Sequence, residues 1–264
     1  MKKIENCYLK NPRIFYRKRI IPGKKTIVFV HGIFGTSSSW KKYEEYFMKN
    51  YNFISVDLRG HGKSFRPVYT SDYSIENFSE DLYKVISKEK LKNIILVSCS
   101  FSNLVSLEFL KKHKKLVNKI IFISFNYSPG NISLSRYFIP IIKYFNKFHF
   151  PIKKIGGHID YGNFKNTYDW DLKRLFIDIK NTGLKSSLNS LISGQEYSGK
   201  KIFNSLKIPT LIIHGNKDSI FPVEFTKKMY NNYSKLKVIR NADHMLGLTH
   251  FKEVSTSINN FIKD

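Results

Sequence analysis

Residues Ile95–Leu104 read ILVSCSFSNL, an apolar run that gives way to Ser98, Cys99, Ser100 and Ser102. A buried strand passing straight into a helix through a tight turn would lift one residue of that cluster clear of the sheet's carboxyl edge. The backbone crosses so closely there that the positions two before and two after must be small, hence the usual pattern G-x-S-x-G. Neither glycine is present. Size still discriminates among the candidates. Cys99 has Val97 and Phe101 as those neighbours, Ser98 has Leu96 before it, and Ser102 has Leu104 after it. Only Ser100 has two small flanks, Ser98 and Ser102, so the turn register selects Ser100 as the candidate nucleophile. Negative φ is expected at both flanks, with Ser98 in the strand and Ser102 in the first helical turn, because serine at positive φ costs about 1 kcal/mol or more. A serine-rich helix start with no chemistry is the plainer alternative.

Outward from this stretch, short apolar runs alternate with helical segments, the pattern of a mostly parallel sheet covered on both faces. The strand candidates are Thr26–Val30, Phe53–Asp57, Ile94–Ser98, Ile120–Ser124, Thr210–His214 and Leu236–Arg240. Ahead of them, NCYLKNPRIFYRKR reads as an antiparallel hairpin turning at Asn11-Pro12 at the sheet edge. SIENFSEDLYKVISKEK carries Ile75, Phe78, Leu82, Val85 and Ile86 at helical spacing, with Ser74 and Asn77 as cap candidates. Helices are also expected in NLVSLEFLKKHKK, PVEFTKKMYNNY and FKEVSTSINNFIK. The interval from Asn126 to Lys207 is too long for a structureless crossover. Its LSRYFIPIIKYFNKF places Leu134, Phe138, Ile141, Ile142, Phe145 and Phe148 on one face, and WDLKRLFIDIKNTGLKSSLNSLI also reads as helical. The expected organisation is a core of residues 1–125 and 208–264, with residues 126–207 inserted as a helical cap.

The chain of 264 residues can bury one good-sized core, and its two cysteines form no disulfide framework. No secretory signal and no membrane-length apolar run is readable, so a soluble cytoplasmic protein is expected. The net charge of +25 suggests nucleic acid or anionic membranes at first sight. Yet the Lys-Lys pairs are scattered from Lys2 to Lys227, Ala242 is the sole alanine, and Lys, Asn, Ile, Phe and Tyr abound. Those five share A/T-rich codons, so base composition accounts for the charge. No nucleic-acid partner is expected.

A serine needs a base, and the base needs orienting. After the strand TLIIH comes GNKDSIFP, which puts Asp218 in a loop at the carboxyl end; after LKVIR comes NADHM, which puts His244 likewise. Read singly, Asp218 could cap a helix starting near Val223, and His244 could be a surface histidine. Together, in the order Ser100, Asp218, His244, they match the Ser…Asp…His order of a triad. VFVHGIFGTSSSW, DLRGHGKS, LVSCSFSN, IPTLIIHGNKDSIFP and NADHM, in order and at compatible spacing, resemble the α/β-hydrolase superfamily over essentially the full length. The match is to its capped, single-domain serine esterase type. The resemblance implies that the amides of Ile33 and Phe101 form an oxyanion hole. The departures are Ser98 and Ser102 for glycines, Asn103 after them, and Asp243 where glycine often precedes the histidine; none removes a reacting atom.

The remaining histidine and glycine motifs carry less. His31 reads as a loop organiser. RGHGKS ends like a phosphate-binding loop, but a Walker A motif needs glycine where Asp57 stands, so Asp57 to Ser64 are read as structural. His113, His149 and His158 show no metal-ligand spacing, and neither a metal nor a cofactor is expected. A serine at the elbow disfavours the dehalogenase and epoxide-hydrolase branches, which the resemblance associates with aspartate there. The expected activity is cleavage of an ester, lactone or thioester through an acyl-enzyme, losing activity in acid as His244 protonates near pH ~6–7. The substrate expected is a small molecule with an apolar acyl or aromatic group. Alternatives are a C–C bond hydrolase, a membrane-surface lipid hydrolase, and a non-catalytic ligand-binding protein of the same fold.

Overall fold

The computed structural model describes residues 3–131, 140, 143–144, 160–161, 164 and 166–264. The amphipathic run Leu134–Phe148 therefore lies mostly outside the described residues. In chain order the strands are β1 (Glu5–Leu9), β2 (Ile14–Arg19), β3 (Thr26–Val30), β4 (Asn52–Val56), β5 (Ile94–Cys99), β6 (Val117–Ile123), β7 (Thr210–Gly215) and β8 (Ser234–Ile239). The α-helices lying wholly among the described residues are α1 (Lys41–Phe47), α2 (Ile75–Lys88), α3 (Phe101–His113), α4 (Leu172–Thr182), α5 (Leu184–Glu196), α6 (Lys200–Asn204), α7 (Val223–Thr226), α8 (Leu246–Thr249) and α9 (Phe251–Lys263).

Among the described residues the strands form one sheet in the order β1-β2-β4-β3-β5-β6-β7-β8. β2 runs antiparallel to both β1 and β4, and every other pairing is parallel. The hairpin pairs Leu9 with Ile14 around a cis Asn11-Pro12 bond. Alternation along the strands sends side chains to opposite faces. Val28, Val30, Leu96, Ile120 and Phe122 meet α2 and α3 on one face; Ile27, Phe29, Val97, Ile121 and Ile213 meet Trp40, Tyr43 and Phe47 and the apolar stripe of α9 on the other. Each fully buried side chain of this size contributes about 1.5–3 kcal/mol relative to exposure. Both faces are thus covered, which is why these strands read as unbroken apolar runs. Ser74 caps α2 by accepting the Asn77 N–H at 3.2 Å.

Several elements differ from the sequence reading. β6 begins at Val117, earlier than expected, and β8 spans Ser234–Ile239. The helix expected through PVEFTKKMYNNY is one turn, Val223–Thr226. Beyond it the Asn231 side chain accepts the Tyr233 N–H, and Ser234 Oγ accepts the Asn231 N–H, local bonds that compete with a helix. Neither α1 nor α8 was expected from the sequence; both are too short for a periodic signal. Between β6 and β7, the stretch from Trp170 expected to be helical forms two helices parted at Gly183, whose φ is +86°. This segment docks on the rest through Tyr73 Oη and Ser186 Oγ at 2.7 Å and through an Arg66 bond to Asn181 O. No helix among the described residues is long and apolar enough to cross a membrane.

Candidate active site

Ser100 stands between the end of β5 and the start of α3 with φ 53° and ψ −117°, a conformation that costs an L-residue about 1–3 kcal/mol. The surroundings hold it there. Ser100 N donates to Ile123 O at 2.9 Å, and Asn103 N donates to Ser100 O at 2.9 Å. Neither flanking serine has positive φ. Their hydroxyls are instead built into the turn. Ser98 Oγ donates to Asn103 Oδ1 at 2.8 Å, and the Asn103 amide donates onward to Ile123 O and Ser124 O at 3.0 and 3.2 Å. Ser102 Oγ accepts the Cys99 N–H at 2.9 Å and lies 2.8 Å from Val30 O. Serine is thus accommodated at both flanks, Ser102 by bonding to the ends of β3 and β5 and Ser98 by bonding to Asn103 of α3. Gly32 gives room on the other side: a Cβ there would lie 3.2 Å from Cys99 O, a tight contact with backbone, and 3.5 Å from Ser100 Cβ.

The structure brings the other two candidate residues to this serine. His244 Nε2 is 2.7 Å from Ser100 Oγ, and His244 Nδ1 is 2.9 Å from Asp218 Oδ2. With a carboxylate facing Nδ1, the proton sits on Nδ1 and Nε2 is free to accept from the serine hydroxyl. Asp218 also does what a capping aspartate does, since Oδ1 accepts Ile220 N at 3.0 Å and Phe221 N at 2.7 Å. Ser124 Oγ donates to His244 O at 2.8 Å. Burial alone would raise the Asp218 pKa, but the His244 charge and hydrogen bonds from His214 and His244 hold it well below the usual carboxylate range. Burial likewise works against His244 protonation, yet the charge and hydrogen bond of Asp218, with Asp169 and Asp243 further out, raise its pKa above 6.5. Cys99 is pushed up to about 12 by burial and the nearby Asp218 charge, so it stays a thiol.

Ile33 and Phe101 both line the cavity beside Ser100. Phe101 is the first residue of α3, so its N–H has no acceptor within the helix. The loop before Ile33 is held by His31, whose Nε2 accepts Leu58 N–H at 3.0 Å while Nδ1 lies 2.7 Å from Gly32 O. Asp57 accepts the N–H groups of Ser37 at 2.6 Å and Lys63 at 2.9 Å, and Ser64 Oγ donates to Asp57 O at 2.6 Å. That stretch is a bonded corner of the fold.

The cavity has a volume of about 350 Å³, within the usual range for small-molecule pockets. Its lining is mainly apolar, including Trp40, Leu104, Trp170, Leu175, Leu191 and Phe221, with Arg174 and Asp178 on the side formed by α4. Two further residues at the site were not singled out in the sequence. His214 read only as the last residue of a strand, and Asp169 belongs to a segment whose path the sequence leaves open; no spacing signal marks either.

A family model for the alpha/beta hydrolase fold matches residues 25–148. The chain is 27% identical over 253 residues to the AB hydrolase superfamily protein YisY of Bacillus subtilis (strain 168), covering 90% of each. It is 24% identical over 245 residues to human Protein ABHD8, covering 89% of this chain and 54% of ABHD8, so it spans about half the length of that relative. Among solved structures, the esterase EaEST from Exiguobacterium antarcticum matches with a TM-score of 0.74 and 20% identity, covering 100% of both chains. The chain has the alpha/beta hydrolase fold.

Proposed function

We propose that this protein is a serine hydrolase cleaving a carboxylic ester, lactone or thioester through an acyl-enzyme, with residues 126–207 acting as a cap over the site. The observation that carries this reading is the unbroken chain from Ser100 Oγ through His244 to Asp218, with contacts of 2.7 and 2.9 Å. His244 takes the Ser100 proton as the oxygen attacks the substrate carbonyl. The oxyanion that forms is held by the N–H groups of Ile33 and Phe101, each contributing about 10²–10³-fold. Asp218 keeps the imidazole in its tautomer and stabilises the imidazolium. His244 then donates to the leaving group, and a water repeats the sequence to release the acid. The apolar cavity lining favours an apolar acyl or aromatic group.

The test is an activity panel of 4-nitrophenyl esters, lactones, thioesters and C–C substrates, run beside Ser100→Ala. Ser100→Ala is expected to lower turnover about 10⁴–10⁶-fold. Full turnover in that variant would end the reading. Cleavage confined to C–C substrates would favour the C–C hydrolase alternative at the same residues, and no cleavage or fluorophosphonate labelling would favour a binding protein. A membrane-surface lipid hydrolase has one observation of its own: Trp170, Leu172 and Phe176, on or beside α4, are 63%, 74% and 71% exposed near the cavity. Salt-sensitive cosedimentation with phosphatidylglycerol vesicles would select that reading over a freely diffusing esterase.

A further inference from the structure

Asp169, on the segment between β6 and β7, touches both of the loops that carry the proposed acid and base. Its Oδ1 accepts the backbone N–H of His244 at 2.7 Å. Its Oδ2 accepts the N–H of Ser219 at 2.9 Å and the Ser219 hydroxyl at 2.7 Å. Ser219 directly follows Asp218, so one carboxylate joins the residue after the acid to the base itself. The neighbouring groups strengthen this joint. Trp170 Nε1 donates to Ser219 Oγ at 2.9 Å, and Arg174 donates to Asp169 O at 3.1 Å while its Nη1 lies 2.7 Å from Met245 Sδ. Asp169, Trp170 and Arg174 also line the cavity that contains Ser100.

We propose that Asp169 is a positioning residue for the reaction described above, clasping the acid loop to the base loop and so setting the register of His244 against Asp218. The inference rests on that proposed function. An uncharged acceptor would meet the three donors less well, because hydrogen bonds to an ionised acceptor are shorter and roughly twice as strong. A carboxylate here also adds to the field at the imidazole. The charges acting on that ring are Asp218 from the acid loop, Asp169 from the segment between β6 and β7, and Asp243 from its own loop, with the Ser100 hydroxyl at Nε2; the Arg174 guanidinium contacts Met245. Asp169 is one of three carboxylates that favour the imidazolium.

The experiment measures the rate of fluorophosphonate labelling as a function of pH, with steady-state hydrolysis of 4-nitrophenyl acetate alongside. The proteins are wild type, Asp169→Ala, Asp169→Asn, Ser219→Ala and Ser100→Ala. Asp169→Ala should slow labelling and kcat about 10–100-fold with little change in KM, the penalty expected when a reacting group is misplaced. The acid limb of its labelling profile should move down towards the ordinary histidine value, a change that a purely structural brace would not produce. Asp169→Asn, nearly isosteric, should lie between, and added formate should restore part of the Asp169→Ala rate. Should Asp169→Ala fail to fold by near-UV circular dichroism, Asp169→Asn decides. Folded variants with wild-type rates and an unmoved acid limb overturn the proposal alone. Wild type that is neither labelled nor active on any ester overturns the proposed function, and this inference with it.

Discussion

His214 and His244 face the same oxygen of Asp218, at 3.1 and 2.9 Å. His214 is fully buried in β7, and its Nδ1 accepts the Phe125 N–H at 3.1 Å. The proton must then be on Nε2, which lies 2.8 Å from Phe221 O as well as close to Asp218. His214 therefore donates from Nε2. It occupies a lone pair of Asp218 that would otherwise pull in water or let the carboxylate turn.

Replacing His214 by alanine should leave the Phe125 N–H and Phe221 O without their partner and cost about 1–3 kcal/mol for each unsatisfied group. Urea unfolding should register that loss. Ester turnover should also fall, by about 10-fold or more, as Asp218 gains freedom to rotate away from His244. Full kcat in a folded variant would mean that His244 and the Ile220 and Phe221 amides hold Asp218 without help.

The acid limb of kcat/KM should lie above pH 6.5, the ordinary histidine value. Burial of His244 opposes protonation, but Asp218, Asp169 and Asp243 favour it and prevail. In the proposed reaction proton abstraction needs the neutral ring, so lowering the pH through this raised pKa should remove activity. A pH–rate profile on an uncharged ester reads the limb directly. A limb at or below 6.5 would show that desolvation outweighs the carboxylates.

Gly215 ends β7 where the loop carrying Asp218 crosses the loop carrying His244. A Cβ there would meet Ala242 O at 2.2 Å and Asp243 O at 2.7 Å, both backbone atoms that cannot swing aside. Gly215→Ala should therefore push the two loops apart. Overpacking of this kind costs about 1–3 kcal/mol. The accompanying displacement of His244 from Asp218 should lower kcat about 10²-fold while KM changes little. A thermal melt and steady-state kinetics on the same preparation separate the two effects.

Much of the architecture was legible because it depends on local pattern. Val28 and Val30 alternate with Ile27 and Phe29, and every one of them is buried, so the run could only be a strand covered on both faces. The Ser98, Ser100 and Ser102 spacing located the strand-to-helix turn, because bulk two residues away is a property the chain carries in its own order. The single turn at Val223–Thr226 was not legible in this way. There, Asn231 and Ser234 bond locally, and pattern alone does not reveal that competition.

What the sequence determined by itself was the succession of strands and helices, and the order in which a hydroxyl, a carboxylate and an imidazole follow loop-forming strand ends. What only the tertiary structure decided was which side chains from distant segments converge on those groups. Asp169 reaches His244 across 75 positions of chain and Ser219 across 50. His214 shares Asp218 because β7 and the loop after it fold back on one another. Periodicity and spacing encode contacts that repeat along the chain. A single long-range hydrogen bond repeats nowhere, and it exists only once the backbone has closed around it.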